Sequence, residues 1–174
     1  MAQLAVPRPT STEYASFYER YVALVPPGDV LVVLARQIED TLVLLRNIPE
    51  DKEDFRYAPD KWSIKEVVGH VLDSERIFAC RALRFGRNDP TPLPGFEQDD
   101  YVRHGGFGSC RLQELAEEFG MVRRANVSMF RHFPTAAWDR RGVANQAEVT
   151  VRALAYIIAG HERHHLEILR KRYL

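Results

Sequence analysis

Apolar side chains recur every three or four positions along most of this chain, which is the spacing of one buried face of an α-helix. The pattern predicts four long helices, at about 29–47, 63–86, 109–133 and 150–174. A shorter amphipathic segment at 13–25 predicts an additional leading helix, which ends before two prolines and a glycine. No segment predicts a strand convincingly, although residues 142–150 are compatible with an extended conformation.

Local polar signals mark the starts of the helices. Ser63 and Glu66 have the spacing of a capping box, in which each side chain binds the backbone N–H of the other residue. Asp29 and Ser109 are suitable N-caps for the helices that follow them. Residues 1–11 are polar and contain two prolines, which favours a disordered or loosely docked tail.

The helices together predict an all-α protein with a four-helix bundle. Four amphipathic helices of similar length must bury their apolar stripes against one another, and a bundle does this economically. The connection at 87–108 is about 20 residues long, which exceeds the usual loop length and favours a crossover over a simple hairpin. We expect residues 29–174 to form the bundle domain and residues 1–28 to add a tail and a short helix.

Composition and charge exclude several classes of protein. The chain has 174 residues, of which 45% are hydrophobic, too many for an intrinsically disordered chain. Its 24 basic residues balance its 24 acidic residues, which argues against a main role in binding nucleic acid or an anionic membrane. Two cysteines cannot form a disulfide framework, and residues 1–10 lack the pattern of a signal peptide. We therefore expect a cytoplasmic protein.

The candidate chemistry lies in the histidines of the last predicted helix. At about 100° per residue from Val151, His161 falls at about 280° and His165 at about 320°, both on the apolar stripe. His164 falls at about 220°, off the stripe. Two buried imidazoles one turn apart need hydrogen bonds or a metal ion, so this pair is either a satisfied core pair or two ligands of one divalent ion.

A third ligand would have to come from upstream. The segment from His161 to His165 also has the H-E-x-x-H pattern of zinc proteases, with Glu162 as the base. That interpretation is weaker, because only nine residues follow His165 and the accompanying sheet is missing. His70 lies in the middle of the second predicted bundle helix, which can meet the middle of the last helix. Three histidines from two facing helices would form a metal site with open positions.

At these residues a family becomes recognisable. The segment 61–70 (KWSIKEVVGH) resembles the W-S-x-x-E opening of a bundle helix in DinB/YfiT-like proteins, and 160–165 (GHERHH) resembles their closing H-x-x-x-H helix. The resemblance covers about residues 29–174 and implies a metal site made of His70, His161 and His165. It also implies zinc or nickel as the metal and a homodimer as a common assembly.

The resemblance implies two kinds of enzyme. One kind comprises metal-dependent thiol S-transferases and isomerases that use low-molecular-weight thiols such as bacillithiol or mycothiol. The other comprises YfiT-type proteins assigned as metal-dependent hydrolases from their metal site. We therefore expect a small-molecule substrate, with no nucleic acid or membrane partner. The alternatives are a non-catalytic metal-binding module of a stress response and a bundle without metal.

The proton carrier of such an enzyme is not fixed by the sequence. Glu162 follows a candidate ligand, and Asp73 lies one turn beyond His70, so either could orient a ligand or carry a proton. Glu162 could instead be a surface carboxylate paired with a basic neighbour, and Asp73 a solvated charge. The connection at 87–108 could cover the site, with five residues to contribute: Phe96, Asp99, Asp100, Tyr101 and His104.

Overall fold

The computed structural model describes residues 5–174 as six α-helices and one β-hairpin. The helices are α1 (Glu19–Val22), α2 (Val30–Arg46), α3 (Ile64–Gly86), α4 (Gln98–His104), α5 (Leu112–Arg131) and α6 (Val151–Ile168). The hairpin strands are β1 (Arg141–Ala144) and β2 (Ala147–Thr150). A π-helical turn, Leu169–Tyr173, continues α6 to the end of the chain. Within 5–174, every helix is too short or too polar to cross a membrane.

Two of the three predicted N-caps, Asp29 and Ser63, are confirmed. At the start of α3, Ser63 Oγ accepts from the Glu66 N–H at 3.2 Å, and the Glu66 carboxylate accepts from the Ser63 N–H at 2.7 Å. Asp29 caps α2 by accepting from the Leu31 N–H. The prediction for α5 was wrong, because Ser109 closes a 3₁₀ turn by donating to the Gly106 carbonyl. Helix α5 begins at Leu112, and the Glu114 carboxylate accepts from the backbone N–H of Arg111, the residue before the helix.

The four long helices pack as a bundle with two apolar clusters, one at each end. The first turns of α3 and α5 share a cluster with the last turns of α2 and α6, so α3 and α5 run parallel to each other and antiparallel to α2 and α6. Helix α6 packs against α3, and α2 packs against α5. The two remaining neighbouring pairs, α3 with α5 and α2 with α6, are also in contact. Because α3 and α5 are parallel neighbours, the connection between them runs the length of the bundle, as a crossover must.

Two expectations about secondary structure need correction. The connection at 87–108 is not irregular throughout, because it contains α4 and the 3₁₀ turn Phe107–Ser109, both of which pack against α3. The fold is also not purely α, because residues 141–150 form an antiparallel hairpin. Its two turn residues, Asn145 and Gln146, both have positive φ, at 50° and 63°. Such a turn matches the twist of two paired strands, which is why a hairpin forms there without glycine.

The segment before α2 lies on the bundle. The predicted helix at 13–25 is shorter than expected, with a 3₁₀ turn at Ser16–Tyr18 leading into α1. The predicted loose tail is corrected over residues 5–11, where Val6 is buried and Arg8 donates to the carbonyls of Val22 and Val25. Residues 1–4 of that predicted tail lie outside the described residues. Glu13 then fastens this segment to α6 by accepting from Thr150 and Arg152.

Candidate metal centre

Three histidine side chains converge where α3 faces α6. His70 comes from α3, and His161 and His165 come from successive turns of α6. The Nε2 atoms of His70 and His161 lie 3.1 Å apart, and one ligand nitrogen from each of the three rings lies within 4.8 Å of the others. The structure therefore brings together the three histidines that the sequence analysis singled out. His164 points elsewhere and packs edge-on against Tyr21.

The local fold explains this convergence. Thr150 caps α6 by accepting from the Ala153 N–H, which fixes the start of the helix and hence the direction in which His161 and His165 point. On the opposite helix, the Trp62 ring packs against His70 at 4.8 Å between centroids. Tyr21 and Phe78 pack edge-on against His161. These aromatic contacts hold the two imidazoles in place and shield them from water.

All three histidines are held in the neutral form. Burial lowers the pKa of His70 from 6.5 to about 4. Burial also places the pKa of His161 well below 6.5, and the neighbouring histidines and Arg20 lower it further. The pKa of His165 is lowered well below 6.5 by the same causes. A neutral imidazole carries the lone pair that a metal ion requires, so protons do not compete with a metal for these side chains at neutral pH.

The separation of the His70 and His161 nitrogens suits one small divalent ion. Bonds of about 2.1 Å from one ion to two nitrogens 3.1 Å apart would meet at roughly 95°, which lies between octahedral and tetrahedral geometry. At the tetrahedral angle two such nitrogens are about 3.4 Å apart, so a pair at the 4.8 Å limit would have to close by more than about 1 Å to share the ion. Three neutral nitrogen donors are the set that suits zinc, nickel and related ions.

The cluster opens onto a cleft of about 330 Å³. His70 and His161 form its floor, and α1 supplies one wall through Arg20 and Tyr21. The segment that leads into α4 also lines the cleft. It is joined to the hairpin by two backbone hydrogen bonds, from the Leu93 N–H to the Val143 carbonyl and from the Asn145 N–H to the Leu93 carbonyl. The remaining lining residues are Phe17, Tyr18, Ser74, Phe78, Arg81, Gly95, Phe96, Glu97, Gln98, Asp99 and Asn145.

Glu162 belongs to a buried ionic network that the sequence analysis did not find. Its carboxylate accepts from Arg123 at 2.7 Å, from Thr41 at 2.5 Å and from Gln37. The same guanidinium binds both oxygens of Glu75, at 2.7 and 2.6 Å. The network thus links all four long helices. Glu162 is therefore neither a surface carboxylate nor part of the cleft lining, and these contacts favour a structural role for it.

A sequence signal for this network existed. Arg123 stands four residues from Phe119 and four from Val127, so a charged side chain occupies the buried stripe of α5. Glu75 stands likewise between Val71 and Phe78 on α3. Charges of opposite sign at the same level of two parallel neighbouring helices predict a buried pair.

The structure separates the other candidate residues. Asp73 lies beside Arg76, 3.5 Å away, and is not among the cleft residues. Burial raises the pKa of Asp73, although Arg76 opposes this. Of the residues in the connection expected to cover the site, Phe96 and Asp99 line the cleft, whereas Tyr101 lines a neighbouring depression. His104 and Asp100 are exposed.

Comparisons with known proteins agree with this architecture. The fold is similar to that of YfiT from Bacillus subtilis, described as a probable metal-dependent hydrolase with an unusual four-helix bundle topology. The TM-score is 0.69 at 12% sequence identity, over 97% of this chain and 94% of YfiT. No match is found among curated proteins. Residues 34–169 match the DinB superfamily. Because that match spans most of the helical bundle and both histidine-bearing helices, the chain belongs to the DinB superfamily.

Proposed function

We propose that this protein is a metal-dependent enzyme that acts on a small molecule, with one zinc or nickel ion bound by His70, His161 and His165. The observation that carries the proposal is the convergence of three neutral histidine side chains, two of which, His70 and His161, line an open cleft. A purely structural metal site closes all its coordination positions with protein ligands, whereas catalytic sites keep one open. Within residues 5–174, the cluster offers three such ligands beside a cavity large enough for a substrate.

The metal would supply Lewis acidity, which lowers the pKa of a water molecule or thiol and polarises a substrate oxygen. The protein supplies the positions of the ligands and the shape of the cleft. Tyr21, Trp62 and Phe78 fix the imidazoles and exclude water from one side. The network around Arg123 ties α6 to the other three helices, so that His161 and His165 keep their places opposite His70.

Two reaction types fit this arrangement, namely hydrolysis and transfer of a low-molecular-weight thiol. The carboxylates that line the cleft, Glu97 and Asp99, are exposed and stand on its rim. A reaction that needs no buried carboxylate as its base therefore suits the cleft. Thiol transfer meets that condition, because the metal itself favours the thiolate over the thiol. Hydrolysis remains the second candidate, since a metal lowers the pKa of water in the same way.

Elemental analysis of protein purified without a histidine tag tests the proposal. We expect about one divalent ion per chain, and we expect the His161→Ala variant to lose it. His164→Ala is the matched control, because His164 lies on the same turn of α6 but outside the cluster. Failure of the wild-type protein to bind zinc or nickel after incubation would overturn the proposal.

A second measurement separates an enzyme from a non-catalytic metal-binding module. The metal-loaded protein is assayed with activated esters and amides, and with electrophiles in the presence of small thiols. Turnover that is lost in His161→Ala and kept in His164→Ala supports the enzyme. A full complement of metal with no turnover of either kind would favour the module instead.

A further inference from the structure

Arg81 is a buried arginine without an acidic partner. It is 4% exposed, and its Nη2 donates to the Pro94 carbonyl at 2.8 Å. Among residues 5–174, no carboxylate oxygen lies within 4.0 Å of its guanidinium. The guanidinium has five N–H donors and carries a positive charge. A buried cation of this kind is costly unless an anion compensates it.

The unpaired guanidinium belongs to the same cleft as the histidines. Arg81 lines the cleft, and its Cζ atom lies 5.8 Å from the centre of the Phe78 ring. The same Phe78 ring is 5.8 Å from the His161 ring. These two contacts limit the separation of Arg81 from His161 to less than about 12 Å. One small molecule can therefore reach both the histidine cluster and the guanidinium.

A second arginine, Arg20 on α1, also lines the cleft and also has no acidic partner among the described residues. Arg20 stacks over the Phe17 ring at 3.8 Å and donates to the Tyr21 hydroxyl at 3.0 Å. It also lacks a carboxylate within 4.0 Å among the described residues. Because Arg20 is exposed, it would attract an anion towards the cleft more than it would bind the anion inside it.

The acidic residues of the cleft do not cancel the attraction of the two arginines for an anion. Glu97 and Asp99 also line it, but both are exposed on the rim, where water screens their charge. Neither forms an ion pair with Arg20 or Arg81. The desolvated charge dominates recognition at the floor, because electrostatic interactions are stronger where water is excluded.

We propose that the substrate carries an anionic group, a carboxylate or a phosphate, which Arg81 binds while the reacting end lies at the histidine cluster. This inference rests on the proposed function, and it adds the substrate class. A guanidinium binds either anion through paired N–H donors, so both chemistries fit. Because the Phe78 ring neighbours both positions, apolar atoms between the anionic group and the reacting end would pack against it.

Binding of charge-matched probes tests the proposal without turnover. The probes are 3-phenylpropionate, its neutral amide and 3-phenylpropylamine, which share one skeleton and differ in charge; 2-phenylethyl phosphate tests the other anion. Each is titrated calorimetrically into the protein with and without bound metal. The metal-free arm removes direct binding of the carboxylate to the ion. The metal-free titration therefore measures binding by Arg81 even if elemental analysis finds no metal in the protein.

We expect at least one of the two anions to bind about tenfold or more tightly than the neutral amide. Arg81→Gln should abolish that preference, and Arg81→Lys should retain part of it. Arg76→Gln is the matched control, because Arg76 lies on the same helix but pairs with Asp73 and Glu118 outside this cleft. An unchanged circular dichroism spectrum and melting temperature of Arg81→Gln show that the variant is folded.

Three results would overturn the proposal. Equal affinities of the anions and the amide would show that charge is not recognised. Tightest binding of the amine would show that Glu97 and Asp99 govern the cleft. An anion preference that survives in Arg81→Gln would place the anion site elsewhere.

Discussion

The Nε2 atoms of His70 and His161 lie 3.1 Å apart across the contact between α3 and α6. Both rings are neutral, so the two Nε2 atoms are joined by an N–H···N hydrogen bond when one ring carries its proton there, and offer two lone pairs to an ion when both rings carry it on Nδ1. The nitrogen of His165 completes the group within 4.8 Å. A divalent ion would satisfy all three lone pairs at once and join two helices that are distant in sequence, so its binding should stabilise the folded state.

The first prediction is therefore that zinc or nickel raises the thermal stability of the protein. A ligand that binds the native state adds about 2.7 kcal/mol at a free concentration of 100 times its dissociation constant. We expect a clear rise in the melting temperature of the wild-type protein and of His164→Ala, measured by calorimetry with and without metal. His70→Ala should show little or no rise. An equal rise in all three proteins would mean that the metal binds somewhere else.

The second prediction concerns the close approach of α1 to α6. A Cβ atom at Gly160 would lie 1.9 Å from the Tyr21 carbonyl oxygen, so the backbone of α1 rests directly on this glycine. In Gly160→Ala the clash must push α1 away, and the wall formed by Arg20 and Tyr21 must move with it. We expect a loss of roughly 1 to 3 kcal/mol, despite the better helix propensity of alanine.

Hydrogen exchange of the backbone distinguishes this effect from a general loss of stability. Exchange should increase first in residues 16–25 of Gly160→Ala. Gly120→Ala in α5 is the matched control, because its new Cβ would meet side-chain atoms at 3.1 Å or more. If both variants are equally stable and exchange alike, α1 does not depend on the contact at Gly160.

The sequence predicts those parts of the fold that follow from local residue patterns. The long helices follow from periodicity, and the helical phase of residues 151–169 is sufficient to separate His161 and His165 from His164. The sequence fails where tertiary contacts decide the conformation. Helix α4 buries Val102 alone among its seven residues, so it leaves no apolar stripe to read. The hairpin turn uses Asn145 and Gln146 at positive φ, where glycine is the usual signal.

The third prediction concerns Arg123, which lies between two buried carboxylates. Although burial opposes it, the charges of Glu162 and Glu75 raise the pKa of Arg123 above its ordinary value. Removing the guanidinium would leave both carboxylates buried without a counter-charge. We expect Arg123→Met to lose roughly 3 to 5 kcal/mol of unfolding free energy, measured by urea denaturation.

The neighbouring arginine provides the control for that measurement. Arg124 is exposed and lies 3.6 Å from an exposed carboxylate of Glu39. Exposed pairs contribute about 1 kcal/mol or less, so Arg124→Met should be nearly neutral. Equal losses in the two variants would show that the buried network does not stabilise the bundle.

The fourth prediction concerns pH and the link between the N-terminal segment and α6. Although burial opposes it, hydrogen bonds from Arg152, Thr10 and Thr150 lower the pKa of Glu13 from 4.5 to about 2. Glu13 therefore contributes its full stabilisation above pH 4.5, and this contribution disappears as the pH falls from 4.5 to about 2. A carboxylate shifted to this extent contributes roughly 3 kcal/mol at neutral pH.

Unfolding by urea between pH 7 and pH 2.5 checks this dependence against Glu13→Gln. The variant should be less stable than the wild-type protein at pH 7, and the difference should shrink as the pH falls, because protonated Glu13 and glutamine are both neutral. Glu148→Gln is the control, because Glu148 is exposed on β2 and its carboxylate is 3.6 Å from Arg141. A difference that stays constant down to pH 2.5 would mean that the charge of Glu13 does not hold the N-terminal segment on α6.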